Sequence, residues 1–268
     1  MSNINTVVAG CGRMGEPMLA ALRTAGCTAT GFDIRPPNSY PAGAGITDIV
    51  DQIPQDTTVL MSVVRDIAQT EDLLFGTQNL IAHLPNLTHV VICSTLSPRY
   101  ITALKSRLPV SLIDAPMSGA QIAAQQARLS FMLGGPDADI EHLMPLFQAM
   151  GQHFHHMGDT GSGMAAKVLN NLLAASNTAM TRLILDWADA ANIDETALLN
   201  LIHTSSGQNW LASGFNTIEF ARDGYTDDNT IGILKKDVES ALDAAPDGAN
   251  TALPELIAST IASLKPRV

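Results

Sequence analysis

The sequence predicts an α/β protein in two parts: a doubly wound parallel sheet over residues 1–159, then a long helix that opens an all-helical part over residues 160–268. Three observations carry this. A glycine-rich turn, Gly10-Cys11-Gly12-Arg13-Met14-Gly15, stands between the first apolar run and a helical one. Short, β-branched apolar runs then alternate with helical stretches as far as Met157, the pattern of strands buried on both faces. Past Gly163 the strand signals stop and only helical periodicity follows.

Taken in order, the chain opens on a strand over residues 4–9 and reaches G-x-G-x-x-G at once, with a helix over 16–25 behind it. Gly10 permits the tight turn, Gly12 lets backbone approach a pyrophosphate, and Gly15 lets helix and strand pack closely, with the phosphates at the helix N-terminus. A second strand over 28–32 ends in Asp33, roughly 20 residues beyond the first glycine, where a ribose-binding acid belongs. Pro36, Pro37 and Pro41 then forbid the usual crossover helix. A loop and one short turn near residues 48–53 replace it. The alternation resumes with a strand over 59–64, helices within 67–84, a strand over 89–93, a helix over 99–108 and a strand over 110–113. Runs at 129–133 and 153–157, flanking a helix over 137–150, would extend the sheet.

The segment from Thr160 to Asn171 begins an apolar run that continues without proline to about Ala191, which reads as one long helix with Ser162 as an N-cap candidate. Met164, Val168, Leu169, Leu172, Leu173, Met180, Leu183, Ile184 and Trp187 cover nearly every side, so the helix should be mostly buried and packed by two bodies. Lys167 interrupts that surface, with Asn171 one turn later on the same face and Asn170 beside it. Lysine is scarce here, confined to Lys105, Lys167, Lys235, Lys236 and Lys265. On spacing alone two readings of Lys167 stand: a head that reaches water along its methylene stem, or a functional ammonium. Further helices are expected over 195–203, 208–221, 230–245 and 253–264.

Composition bounds the function. A chain of 268 residues, 46% hydrophobic and 15% charged, can build a sizeable core. No run of 18 apolar residues is free of polar breaks, and no basic leader with an apolar core precedes the first strand, so a cytoplasmic protein without a membrane span is the expectation. A net charge of −11 without a Lys/Arg cluster argues against a nucleic-acid partner. Cys11, Cys27 and Cys93 lack metal-ligand spacing and read as structural thiols. A strand would send His153 and His155 to one face and His156 to the other, so no metal site is expected.

Five motifs together resemble a known family. Gly10-Cys11-Gly12-Arg13-Met14-Gly15-Glu16-Pro17-Met18, Ser94-Thr95 with Pro98, Asp114-Ala115-Pro116-Met117-Ser118-Gly119, Gly161 and Gly163 with Lys167, Asn170 and Asn171, and Lys236-Asp237 occur in the order seen in the β-hydroxyacid dehydrogenases. The resemblance spans nearly the whole chain. It implies a Rossmann domain joined by the long helix to a helical domain, with the active site in the cleft between them and a homodimer or homotetramer as the assembly. It also implies roles. Lys167 would be the catalytic lysine and Asn171 its partner on the substrate. Ser118 and Gly119 would hold the substrate carboxylate, and Lys236 would close over the cleft. Gly10, Cys11, Gly12, Arg13, Met14, Gly15, Asp33, Arg35, Val63, Val64, Thr95 and Lys236 would line the cofactor.

The chemistry that suits these residues is hydride transfer between a nicotinamide and a small β-hydroxy acid of the 3-hydroxyisobutyrate type, with Lys167 moving the hydroxyl proton. Free lysine has a pKa of about 10.4, so as a base it needs burial or cationic neighbours, whereas as an acid it is ready-made. Asp33 accepts hydrogen bonds from a ribose 2′-hydroxyl and repels a 2′-phosphate, which favours NAD; Arg35 can receive that phosphate, which leaves NADP open. Two other readings stay in view: an imine reductase of the same fold, which usually carries another residue in place of the lysine, and a dinucleotide-binding sensor without turnover. The chain departs from the family pattern at Ala120, where a second glycine is common, and at Gly207-Gln208-Asn209-Trp210. Asp114 and Pro116 can also be read as residues that simply shape their loop.

Overall fold

Burial on both faces of the first strand sets up a three-layer arrangement, because Val7 and Val8 point to opposite faces and both are fully enclosed. The computed structural model describes residues 4–267. In chain order its elements are β1 (Asn5–Ala9), α1 (Gly15–Thr24), β2 (Thr28–Phe32), β3 (Ile46–Thr47), β4 (Val59–Ser62), α2 (Ile67–Phe75), α3 (Leu80–His83), β5 (His89–Ile92), α4 (Pro98–Lys105), β6 (Ser111–Asp114), β7 (Met117–Ser118), α5 (Ala120–Gln125), β8 (Leu129–Gly134), α6 (Asp137–Met150) and β9 (Gly151–Gly158). The long helix α7 (Ser162–Ala190) and helices α8 (Glu195–His203), α9 (Trp210–Gly214), α10 (Thr230–Asp243) and α11 (Ala252–Ala262) follow. The chain divides into two compact units, one ending at Lys167 and the other beginning at Val168, so α7 belongs to both.

The first unit holds one sheet in the order β3-β2-β1-β4-β5-β6-β8-β7, with β9 also paired to β8. From β3 to β6 every pairing is parallel. This is the strand order of a dinucleotide-binding sheet. Val8, Met61, Val91 and Ile113 face α1 and α6 on one side, where Met18, Leu22, Leu143 and Phe147 complete the core. Val7, Leu60, Val90 and Leu112 face the other side with Leu73, Leu74, Ile101 and Leu104 from α2 and α4. The register places Ala9, Phe32, Ser62, Ile92 and Asp114 level with one another across the sheet. The residues that leave those ends therefore emerge side by side.

Two features differ from the sequence reading, and a third bears it out. β8 and β9 extend the sheet and pair parallel with each other, but the run of parallel neighbours breaks at β6: β8 runs antiparallel to β6 and β7, because β7 turns back through the short helix α5 in place of a crossover long enough for a parallel return. The elements β3, β7 and α5 escape a reading by periodicity, since two residues cannot show alternation and six barely make a helical pattern. After β2 the prolines do exclude a crossover helix, and only short 3₁₀ turns at Pro37–Ser39 and Val50–Gln52 flank β3.

In the second unit, Ala175, Ala179 and Leu185 of α7 pack with Leu199, Leu211, Phe215, Ile231, Leu234, Val238, Ile257 and Ile261. Two arginines stitch this unit. Buried Arg182 donates through Nη1 to the carbonyls of Ala221 and Asp223, at 3.0 and 2.8 Å. Arg267 pairs with Asp186, Asp189 and Glu195. The helix expected over 208–221 shrinks to α9, ending at Gly214, and the residues after it form turns; glycine gives the helix a cheap place to stop. The long helix is also less enclosed than its composition suggests: Leu169, Leu173, Met180 and Trp187 lie exposed along it. Among the described residues no helix is long and apolar enough to cross a membrane.

Candidate functional site

The glycine turn at the end of β1 is built by close backbone approach. Gly10 sits at φ +93°, its N–H donates to Phe32 O at 2.9 Å, and a Cβ there would lie 2.8 Å from the Val63 carbonyl. Gly15 is tighter still, since a Cβ would stand 2.0 Å from Gly10 O. Gly12 is the opposite case: no heavy atom would come within 4 Å of its Cβ. Open backbone at Gly12, exposed Arg13, half-buried Met14 and a first turn of α1 that no side chain caps fit a phosphate group, which needs free N–H donors and room. Val63 and Val64 leave β4 beside this turn, with Val63 N donating to Ala9 O at 2.7 Å and Ser94 Oγ bonding Val64 O. Thr95 follows, half-buried, just beyond β5.

Cys11 takes part through its backbone. Burial, aided by the Asp33 charge, pushes its thiol up to about 12, so the sulfur is neutral, while its carbonyl accepts from Arg35 Nη2 at 2.9 Å. Arg35 also grips Asp33 as a fork: Nε donates to Oδ1 at 3.1 Å, Nη2 to Oδ2 at 3.1 Å, and the Arg35 N–H to Oδ1 at 3.0 Å. The guanidinium lies 5.0 Å from the centre of the Tyr40 ring. Burial acts to raise the Asp33 carboxyl, but the Arg35 hydrogen bonds outweigh it and hold the group below its ordinary value. Asp33 and Arg35 are thus one assembly.

Around Lys167 the first unit gathers its chemistry. The side chain is only 7% exposed, and Nζ donates to Ser118 Oγ at 2.9 Å. Reaching water along the stem is therefore not what this lysine does. Ser118 is held in β7 opposite Ser130 of β8. Gly119 has φ +133°, and Ala120 follows at φ +53°, a left-handed conformation that L-residues other than glycine adopt at some cost. A glycine would take that conformation without the cost. Asp114, read from sequence only as a loop-shaping residue, is wholly enclosed and accepts the N–H groups of Gly161 and Met164, each at 2.6 Å. Burial pushes its carboxyl up to about 6 against those bonds.

In the second unit the amide of Asn171 is locked. Nδ2 donates to Asp237 Oδ2 at 2.6 Å, while Oδ1 accepts from Asn170 Nδ2 at 3.1 Å. A carboxylate only accepts, so Asp237 dictates which way the amide points. Lys236, half-buried, precedes it on α10. The sequence motif contained Asp237 but gave it no task; it stands 66 positions from Asn171, and only the fold joins them. The histidines of β9 go elsewhere: His156 Nδ1 pairs with Asp137 at 3.0 Å. Among the described residues no three His, Cys, Asp or Glu side chains meet in a way that could hold a metal ion.

Comparison with known proteins follows the same division. Residues 5–158 match the model of the NAD binding domain of 6-phosphogluconate dehydrogenase, and residues 161–265 match that of the NAD-binding region of NADP-dependent 3-hydroxyisobutyrate dehydrogenase. The chain is 30% identical over 245 residues to a 3-hydroxyisobutyrate dehydrogenase of Pseudomonas aeruginosa, covering 87% of this chain and 82% of that one. It is 32% identical over 213 residues to a NAD-dependent L-serine dehydrogenase of the same organism, covering 77% and 72%. Among solved structures, 3-hydroxyisobutyrate dehydrogenase of Mycobacterium tuberculosis with L-serine shares the fold at a TM-score of 0.78 and 24% identity, covering 98% of this chain and 96% of that one.

Proposed function

This chain belongs to the β-hydroxyacid dehydrogenase family, NAD(P)-dependent oxidoreductases of small hydroxy acids, and from that premise we propose a β-hydroxy acid of the 3-hydroxyisobutyrate type as substrate, with Lys167 as the proton-transfer group. The observation that supports this most is the enclosed ammonium of Lys167 beside the hydroxyl of Ser118, 2.9 Å away. A bound nicotinamide nucleotide supplies the hydride acceptor in oxidation and the donor in reduction. In reduction the Lys167 ammonium gives its proton to the substrate oxygen, and in oxidation the neutral amine takes the proton of the substrate hydroxyl and becomes the ammonium. Ser118 Oγ and the backbone N–H of Gly119 bind the substrate carboxylate, and the oriented amide of Asn171, one turn along α7, bonds the reacting oxygen. Lys236 adds a cation that favours an acidic substrate.

For the cofactor we propose NAD over NADP. Asp33 accepts ribose hydroxyls, Gly10 to Gly15 hold the pyrophosphate, and Val63, Val64 and Thr95 flank the rest of the nucleotide. Arg35 keeps NADP as a weaker alternative. The exposed apolar row of α7 supports a further reading, a homodimer or homotetramer that covers it. A panel of β-hydroxy acids, including 3-hydroxyisobutyrate and L-serine, assayed with both cofactors tests the substrate reading. Reduced nicotinamide should form with at least one of them. Cofactor binding without turnover on any would favour a sensor.

A further inference from the structure

Asp114 closes β6, and its two carboxylate oxygens reach two different N–H groups at the start of α7: Oδ1 meets Gly161 and Oδ2 meets Met164. Such donors have no partner within the helix itself. The same turn is pinned twice more. Thr160 Oγ1 donates to Leu112 O at 3.1 Å, and Leu96 N–H meets Met164 Sδ at 3.2 Å. Glycines make the approach feasible. A Cβ at Gly163 would lie 2.4 Å from Met132 O, and one at Gly134 would lie 2.4 Å from Asp114 Oδ1. The helix therefore begins in backbone contact with β8, with the carboxylate wedged at the junction.

Two short arms leave this junction. Along α7, Lys167 stands three positions beyond Met164, a rise of about 4.5 Å. Along the exit of β6, Ser118 stands four positions beyond Asp114. The arms meet again where Lys167 Nζ donates to Ser118 Oγ, so two cross-links close one small ring. Neither arm is slack, because one is helical and the other is held by the pairing of Ser118 with Ser130. Movement at one cross-link must appear at the other.

We propose that Asp114 is a positioning residue for the reaction, clamping the start of α7 onto the exit of β6 and thereby setting where Lys167 Nζ stands relative to Ser118 Oγ. This rests on the reading of Lys167 as the proton-transfer group. A buried carboxylate that burial pushes toward its neutral form is a poor device for stability alone, whereas its two acceptors fix a distance that an apolar side chain would leave free. An error of 1 Å in such a distance costs up to about 10²-fold in rate.

Asp114→Asn tests this, since it turns one acceptor into a donor that faces an N–H. Amide hydrogen exchange in the free protein should speed up at least tenfold at Gly161 and Met164. With substrate, kcat should fall roughly 10- to 100-fold while KM for the hydroxy acid stays within about threefold. In a Ser118→Ala background the same change should cost much less, because the distance it controls no longer matters. Unchanged exchange, or losses in kcat that multiply across the double variant, would overturn the proposal. Should Asp114→Asn not fold, Asp114→Glu, which keeps the charge and shifts both acceptors by one methylene, enters the same measurements. Exchange reads the clamp without turnover, whereas Lys167→Ala reads the role of the lysine, so the two ideas fail separately.

Discussion

Asn171 Nδ2 donates to Asp237 Oδ2 across 2.6 Å, and both residues are buried. The carboxylate fixes the amide in one of its two orientations, leaving the second Nδ2 proton in a defined direction. Asp237→Asn keeps the shape but offers a donor as readily as an acceptor, so the Asn171 amide can invert. A hydrogen bond to a charged group contributes about 1.5–3 kcal/mol, so kcat/KM for the hydroxy acid should fall by roughly 10- to 100-fold with NAD affinity preserved. Equal kcat/KM in the two proteins would show that the orientation of Asn171 is irrelevant to turnover.

Arg35 forks onto the Asp33 carboxylate; in the cofactor site proposed above it would shield the group that receives NAD and supply the cation that receives NADP. Removing it with Arg35→Ala frees Asp33 and deletes the phosphate partner. The ratio of kcat/KM for NAD over NADP should rise by at least about tenfold, chiefly through loss of NADP use. A ratio that does not move would mean that Arg35 serves the local fold only.

Asp114 gives a pH signature with a defined sign. Its carboxyl is pushed up to about 6 in the folded chain from an ordinary 3.8, so between those values the folded state binds more protons than the unfolded one. Its contribution to stability is therefore full below pH 3.8 and is lost as the pH rises through 6, by up to roughly 3 kcal/mol. Measured by denaturant unfolding, the stability of the natural protein relative to Asp114→Asn should decline from pH 4 to pH 6.5. Parallel curves for the two proteins would contradict the assignment.

The exposed row of Leu169, Leu173, Met180 and Trp187, the last 68% exposed, leads to an expected homo-oligomer. Light scattering at micromolar concentration should give a mass of at least two chains, and Trp187→Asp should lower it. A monomer for the natural protein would contradict the proposed assembly.

Much of this was legible in the sequence. The bounds of β2 and α6 follow from apolar runs ended by glycine, proline or acid, and the glycine turn declares its place through the strand before it and the helix behind it. What escaped the reading depends on contacts between distant residues. The tasks of Asp114 and Asp237 arise from partners 47 and 66 positions away. The two-residue strands β3 and β7 exist only because a neighbouring strand offers its edge. The exposed row of α7 misled the reading for a related reason: apolar composition shows that a surface wants covering, and the chain itself does not cover that part of it.

The central claim is that Lys167 moves the proton, and kcat of Lys167→Ala beside its NAD dissociation constant tests it most directly. General acid–base catalysis contributes about 10²–10⁴-fold, and the glycine turn and Asp33, proposed to hold the nucleotide, leave β1 and β2, away from α7 in the chain. The expected result is a loss of kcat of at least about 10²-fold with the dissociation constant within about threefold, and no rescue by Lys167→Arg, whose guanidinium does not release a proton near neutral pH. Near-normal turnover in the Ala variant, or recovery of most of kcat in the Arg variant, would contradict it.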